Sequence, residues 1–129
     1  MKKSIRILGA TSAVLLLYGF IPGGARNTFI NGTRTPIKIT YRSTAVRLDT
    51  PVLIKPGAGL RMTGDCGDLL RLLIIYPDGR TLSLSTREIR RIENSSKLDP
   101  GVWWITTAGV EYISTKESLA RTKAIFGRW

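Results

Sequence analysis

The stretch Leu69–Ser85, LLRLLIIYPDGRTLSLS, restricts the possible folds more than any other part of the chain. Its first arm, Leu69–Tyr76, is apolar except for Arg71, and its length and Leu, Ile and Tyr content predict a strand buried on both faces. On that reading Leu72, Leu73, Ile74 and Ile75 are all shielded from water. Pro77-Asp78-Gly79 stops the strand, because Gly accepts a positive φ and Asp can bond its own backbone. In the second arm Leu82 and Leu84 alternate with Thr81, Ser83 and Ser85, the pattern of a strand with one wet face. A central strand beside a half-exposed partner predicts an antiparallel sheet in a small sandwich.

The flanking segments repeat this pattern. Pro36–Tyr41 alternates, with Ile37, Ile39 and Tyr41 on one side and Lys38 and Thr40 on the other. Ala45–Leu48 continues the sheet, Val52–Ile54 is a short strand bracketed by Pro51 and Lys55-Pro56-Gly57, and Leu60 and Met62 alternate with Arg61 and Thr63. Asn31-Gly32 reads as a turn closing a first hairpin. Ser85 and Glu88 have the spacing of a capping box, so Thr86–Glu93 is expected as a short helix, with a continued strand as the alternative. Val102–Thr107 and Val110–Ser114 are strands joined at Ala108-Gly109. Adjacent strand residues face opposite ways, which sends one of Trp103 and Trp104 into the core and the other to the outer face. Lys116–Trp129 is expected as a basic helix whose apolar stripe is drawn from Leu119, Ala120, Lys123 and Phe126.

The expected fold is therefore mainly β, a small antiparallel β-sandwich or partly open barrel, with an N-terminal signal or anchor helix and a short C-terminal helix. Three parts follow: residues 1–25 as signal peptide or membrane anchor, 26–115 as the sandwich, and 116–129 as the basic helix. The order of Phe29-Ile30-Asn31, Ile37–Tyr41 and Leu53-Ile54-Lys55-Pro56-Gly57-Ala58-Gly59 is similar to that in β-domains of the von Hippel–Lindau type. The resemblance implies a small sandwich and assigns no residue a role.

The N-terminal segment decides the compartment. Lys2, Lys3 and Arg6 precede an apolar run, Ile7–Ile21, and Pro22-Gly23-Gly24-Ala25 follows. This is a secretory pattern with cleavage expected after Ala25. An uncleaved anchor is the alternative, since the run is at the short end of the roughly 17–25 residues that span a bilayer. Either way the basic start holds the N-terminus inside and the rest of the chain is exported, to the periplasmic or extracellular side. Asn31-Gly32-Thr33 and Asn94-Ser95-Ser96 both have the N-glycosylation pattern.

Charge points to the partners. Lys and Arg number 20 against 9 Asp and Glu, a net charge of +11, and no acidic residue precedes Asp49. Such a chain favours anionic lipid, acidic polymers or acidic protein faces. Arg87, Arg90 and Arg91 cluster on the first expected helix, and Arg121, Lys123 and Arg128 on the second beside Phe126 and Trp129. Basic and aromatic residues mixed in this way suit a membrane surface or nucleic acid, and export disfavours nucleic acid. Trp103, Trp104, Arg121, Lys123, Arg128 and Trp129 are accordingly the expected partner or membrane contacts.

Catalytic chemistry finds little footing. The chain has no His and one Cys, which removes His-based triads, His-ligated metals and an internal disulfide. Cys66 lies between Asp65 and Asp68 in a Gly-flanked loop, where acidic neighbours oppose thiolate formation, so it is read as a small packing residue or an interchain disulfide partner. Lys55-Pro56-Gly57-Ala58-Gly59 lacks the Gly-Lys-Ser/Thr ending of a phosphate loop. Asp78 with Glu88, and Asp99 with Glu111, are the only acid–base pairs to consider, and both are read as solvated or ion-paired. No catalytic residue, cofactor or metal is expected. The sequence thus supports a non-catalytic accessory or structural subunit of an envelope or membrane complex. The alternative is a secreted binding module for an anionic envelope component.

Overall fold

The computed structural model describes residues 27–62, 68–98 and 101–127. The expected N-terminal helix, Asp65, Cys66, Asp99, Arg128 and Trp129 lie outside the described residues.

Among the described residues, eight strands form two four-stranded sheets. The first sheet holds β1 (Asn27–Asn31), β4 (Gly59–Arg61), β7 (Gly101–Ile105) and β8 (Val110–Ile113), in the order β4-β1-β7-β8. The second holds β2 (Ile37–Ser43), β3 (Arg47–Ile54), β5 (Leu69–Ile75) and β6 (Thr81–Leu84), in the order β3-β2-β5-β6. The two sheets are separate, so the fold is an open sandwich and not a closed barrel. The sheets are antiparallel as expected at every strand pair but one, β1 with β7, which pair in parallel. Asn31-Gly32 consequently closes no hairpin and instead carries the chain from the first sheet to the second.

The Leu69–Ser85 hairpin forms as β5 and β6, with Leu72 opposite Leu84 and Ile74 opposite Leu82. β5 is central, between β2 and β6. Its two faces differ, however. Leu69, Leu72 and Ile74 are at most 1% exposed, whereas Leu73 and Ile75 are half-buried on the outer face. Neither described helix covers that face, so the apolar run does not mean burial on both sides. In β2, Ile37 and Ile39 enter the core as the alternation predicted, and Tyr41 stacks on Phe29 with centroids 5.7 Å apart.

Two expected strands, Ala45–Leu48 and Val52–Ile54, are one eight-residue strand, β3. Pro51 is accommodated because β3 is an edge and because its register with β2 shifts between Ile39 and Tyr41. A bulge on an edge is where a missing N–H costs no ladder bond.

The two helices seal different openings. α1 (Thr86–Ser96) begins with the capping box: the Ser85 hydroxyl accepts from the Glu88 N–H, and Glu88 accepts from the Ser85 N–H. It buries Ile89 in the core and contacts β5 and β8, one strand from each sheet. α2 (Thr115–Phe126) lies on the outer face of the first sheet, where Ile125 and Phe126 pack on Ile30, Val102, Trp104 and Ile113. Its buried positions are Ser118 and Thr122, not the expected Leu119, Ala120 and Lys123. The two hydroxyls bond the carbonyls of Thr115 and Ser118, which lets small polar residues face the sheet without an unpaired group.

The faces of β5 give a direct mutational contrast. Leu72→Ala and Ile74→Ala are expected to cost about 2–5 kcal/mol each, the range for emptying a packed core position. Leu73→Ala and Ile75→Ala are expected to cost clearly less. Urea unfolding of the four variants checks this, and equal losses on the two faces would contradict the one-sided burial.

Candidate contact surface

The expected contact residues separate into three groups. Trp103 and Trp104 do face opposite sides of β7, but neither reaches the surface. Trp103 is 0% exposed in the space between the sheets, where its indole N–H donates to Asn27 Oδ1 over 2.9 Å and its ring lies 4.6 Å from that of Tyr112. Trp104 is 2% exposed, because α2 covers the outer face on which it stands. The two indoles are packing residues of the sandwich, and the expectation that they present a contact surface is corrected. The cause is the docking of α2, which single-strand alternation does not reveal.

Arg121 and Lys123 belong to α2. The Arg121 guanidinium pairs with Glu111 on β8 at 3.1 Å and with Glu117 one turn earlier, and stands 5.8 Å from the Trp104 ring. Desolvation opposes its charge, but bonds from Glu117 and Glu111 outweigh this and raise its pKa. Its charge is therefore used within the fold, tying α2 to β8. Lys123 is exposed. Arg128 and Trp129, the other two expected contacts, lie outside the described residues.

A second basic surface appears only in the sheet register. Arg42 on β2 is the cross-strand partner of Arg47 on β3 and of Arg71 on β5. The three arginines thus form one row across three adjacent strands, spaced by the roughly 4.8 Å between strands. Like charges opposite one another disfavour the sheet, by about 0.2–1 kcal/mol per pair. Arg47 is 3.7 Å from Asp49, an exposed pair of little energetic weight. Among the described residues, no carboxylate pairs with Arg42 or Arg71. Lys38 stands on the same outer face two rows away, between Leu53 and Ile75, and Leu53 is 55% exposed. The sequence conceals this row because 42, 47 and 71 are brought together only by the β2–β3 bulge and the β2–β5 register. Arg87, Arg90 and Arg91 are exposed on α1.

Three of the four acid–base candidates, Asp78, Glu88 and Glu111, fall among the described residues. Asp78 accepts from the Arg80 backbone N–H and pairs with its guanidinium at 2.9 Å, and these bonds hold its pKa below the ordinary carboxylate range. Glu88 is lowered by the capping bonds from Ser85. Glu111 pairs with Arg121. Among the described residues, no three His, Cys, Asp or Glu side chains gather as a metal site would require. Nor is any described helix long and apolar enough to cross a membrane. Of the two N-glycosylation patterns, Asn94 is exposed on α1, whereas Asn31 is wholly buried and hydrogen-bonded and so is closed to modification in the folded chain.

No protein-family model, curated protein or solved structure matches this chain. The likeness to the von Hippel–Lindau type of β-domain therefore stands on its three sequence segments alone.

The lowered carboxylates set a pH dependence. A carboxyl whose pKa is lower folded than unfolded stabilises the fold above its unfolded value and loses that contribution as pH falls through its folded value. The stability difference between the wild type and Asp78→Asn/Glu88→Gln is expected to shrink as pH falls from 7 through the carboxylate range. Urea midpoints across that range check this, and a difference independent of pH would contradict the capping and turn roles.

Proposed function

We propose that the chain is a non-catalytic, membrane-anchored accessory or structural subunit of an envelope or membrane complex, presenting a small basic β-sandwich outside the cytoplasm. The observation that carries this reading is the position of the apolar run Ile7–Ile21, behind Lys2, Lys3 and Arg6 and five residues (22–26) ahead of β1. Five residues reach at most about 17–18 Å, so an anchored sandwich is held against the headgroups. A basic domain in that position gains roughly 1 kcal/mol per well-placed Lys or Arg near anionic lipid, less at high salt. The net charge of +11 also supports the second reading, a secreted module released by cleavage after Ala25 that binds an anionic lipid, polymer or acidic protein.

Intact mass together with carbonate extraction, on protein expressed in an exporting host, separates the two. The anchored reading expects a chain that retains residues 1–25 and stays with the membrane in carbonate. A mass that starts at Arg26, with the protein in the soluble fraction, would overturn it in favour of the secreted module.

A further inference from the structure

We propose that the arginine row Arg47–Arg42–Arg71 is a docking face for anionic phospholipid headgroups and sets the orientation of the sandwich on the bilayer. The inference rests on the membrane-anchored reading and names the surface and the lipid chemistry that reading leaves open.

Position comes first. Asn27 begins β1, and its carbonyl accepts from the Met62 N–H, while the Thr44 N–H donates to Asp68. Asn31, which ends β1, donates to the carbonyl of Ile54, which ends β3, so the start of β1 and the 43–46 turn before β3 lie together at the other end of the sandwich. Arg42 and Arg47 flank that turn, and Arg71 is in register with Arg42. Arg61, opposite Thr28 on β4, stands at this end in the other sheet. The row is therefore at the end where the chain arrives from the apolar segment.

Chemistry comes second. Three guanidiniums in register repel one another, and Asp49 answers only Arg47. A phosphate-bearing surface relieves that repulsion, and the planar guanidinium suits phosphate oxygens. Val46, 38% exposed in the turn beside Arg47, supplies an apolar contact at headgroup depth. Lipid is favoured over an acidic protein because the short tether already confines this end to the bilayer. The α2 cluster is less suited, since Arg121 is engaged by Glu111 and Glu117.

The test uses the full chain reconstituted in vesicles of phosphatidylcholine, alone or with one-third phosphatidylglycerol, containing headgroup-quencher lipid. A fluorophore is placed at Ala45→Cys, or at Thr107→Cys at the opposite end, in a Cys66→Ser background. Quenching at position 45 is expected to rise with phosphatidylglycerol and fall with salt, while position 107 does not respond. Arg42→Gln/Arg71→Gln is expected to lower the docked-to-undocked ratio about 25-fold, roughly five-fold per arginine. Arg42→Lys/Arg71→Lys, which keeps the charge, retains docking if the glutamine variant is misfolded by circular dichroism, and Arg121→Gln leaves docking intact.

Quenching at position 45 that is equal in the two lipids, or unchanged in Arg42→Gln/Arg71→Gln, would overturn the proposal. So would binding of polyglutamate or an oligonucleotide that depends on Arg42 and Arg71 without any lipid response. Failure of the full chain to stay with neutral vesicles in carbonate would instead remove the anchored reading. Binding to preformed anionic vesicles that depends on Arg42 and Arg71 would still support the row's lipid chemistry in that case.

Discussion

The fold turns on one buried amide. Asn31 is 0% exposed, and its side chain uses its full hydrogen-bonding capacity inside the protein. Its NH2 donates to the carbonyls of Thr35 and Ile54 at 2.8 and 2.9 Å, and its Oδ1 accepts from the N–H and hydroxyl of Thr33. Its backbone bonds Ala58 and Gly57, and the next residue, Gly32, donates to Ile105. One residue thus joins the end of β1, the crossover into the second sheet, the end of β3, the turn before β4 and the end of β7. Apolar burial between the sheets is non-directional and does not by itself choose how one sheet sits on the other. These bonds are directional, and the buried Ile54 carbonyl they satisfy is costly to leave alone. Gly32 adds a steric condition, because a Cβ there would collide with the Trp104 indole.

That arrangement leaves the sandwich with two unlike outer faces. The first sheet is covered by α2, whose Phe126 ring stands where a side chain on Gly57, a residue with φ of +76°, would crowd it. Neither described helix lies on the outer face of the second sheet, which displays Lys38, Arg42, Arg47 and Arg71 around half-buried Leu73 and Ile75. Most described carboxylates are committed to the fold: Asp78 to a turn, Glu88 to a helix cap, and Glu111 and Glu117 to Arg121. Among the described residues, positive charge that no carboxylate pairs, at Arg42 and Arg71, therefore collects on that face. This asymmetry is the physical ground for reading the domain as a charged contact surface, with its packing aromatics turned inward.

Much of this was legible in the sequence, for reasons that particular residues make clear. Alternation located β2 and β6, Pro77-Asp78-Gly79 located the hairpin turn, and Ser85 with Glu88 located the start of α1, because these signals are local. Non-local facts were not legible. The parallel pairing of β1 with β7 depends on residues more than 70 positions apart, and Asn31 has the same sequence appearance in a hairpin turn as in a buried crossover. Ser118 and Thr122 hid the docking face of α2, since hydroxyl residues do not register as apolar. The contact surface suffered most. Trp103, Trp104 and Arg121 were singled out by residue type but are occupied within the fold, whereas Arg42, Arg47 and Arg71 look unremarkable until strand register aligns them.

If the satisfied amide of Asn31 fixes how the sheets and their connections meet, Asn31→Asp must be severely destabilising. The change keeps shape and removes only the NH2 that faces the Thr35 and Ile54 carbonyls. The Thr35 carbonyl keeps the Thr33 hydroxyl as a donor, the buried Ile54 acceptor left unpaired costs about 1–3 kcal/mol, and an ionised carboxylate facing two carbonyls costs more. Urea unfolding of the full chain at pH 7 is expected to show a loss above about 3 kcal/mol. Part of that loss is expected to be regained at acid pH, where the protonated carboxyl can donate one bond. Stability within about 1 kcal/mol of the wild type at pH 7 would contradict the claim and would leave side-chain packing between the sheets as the organising interaction.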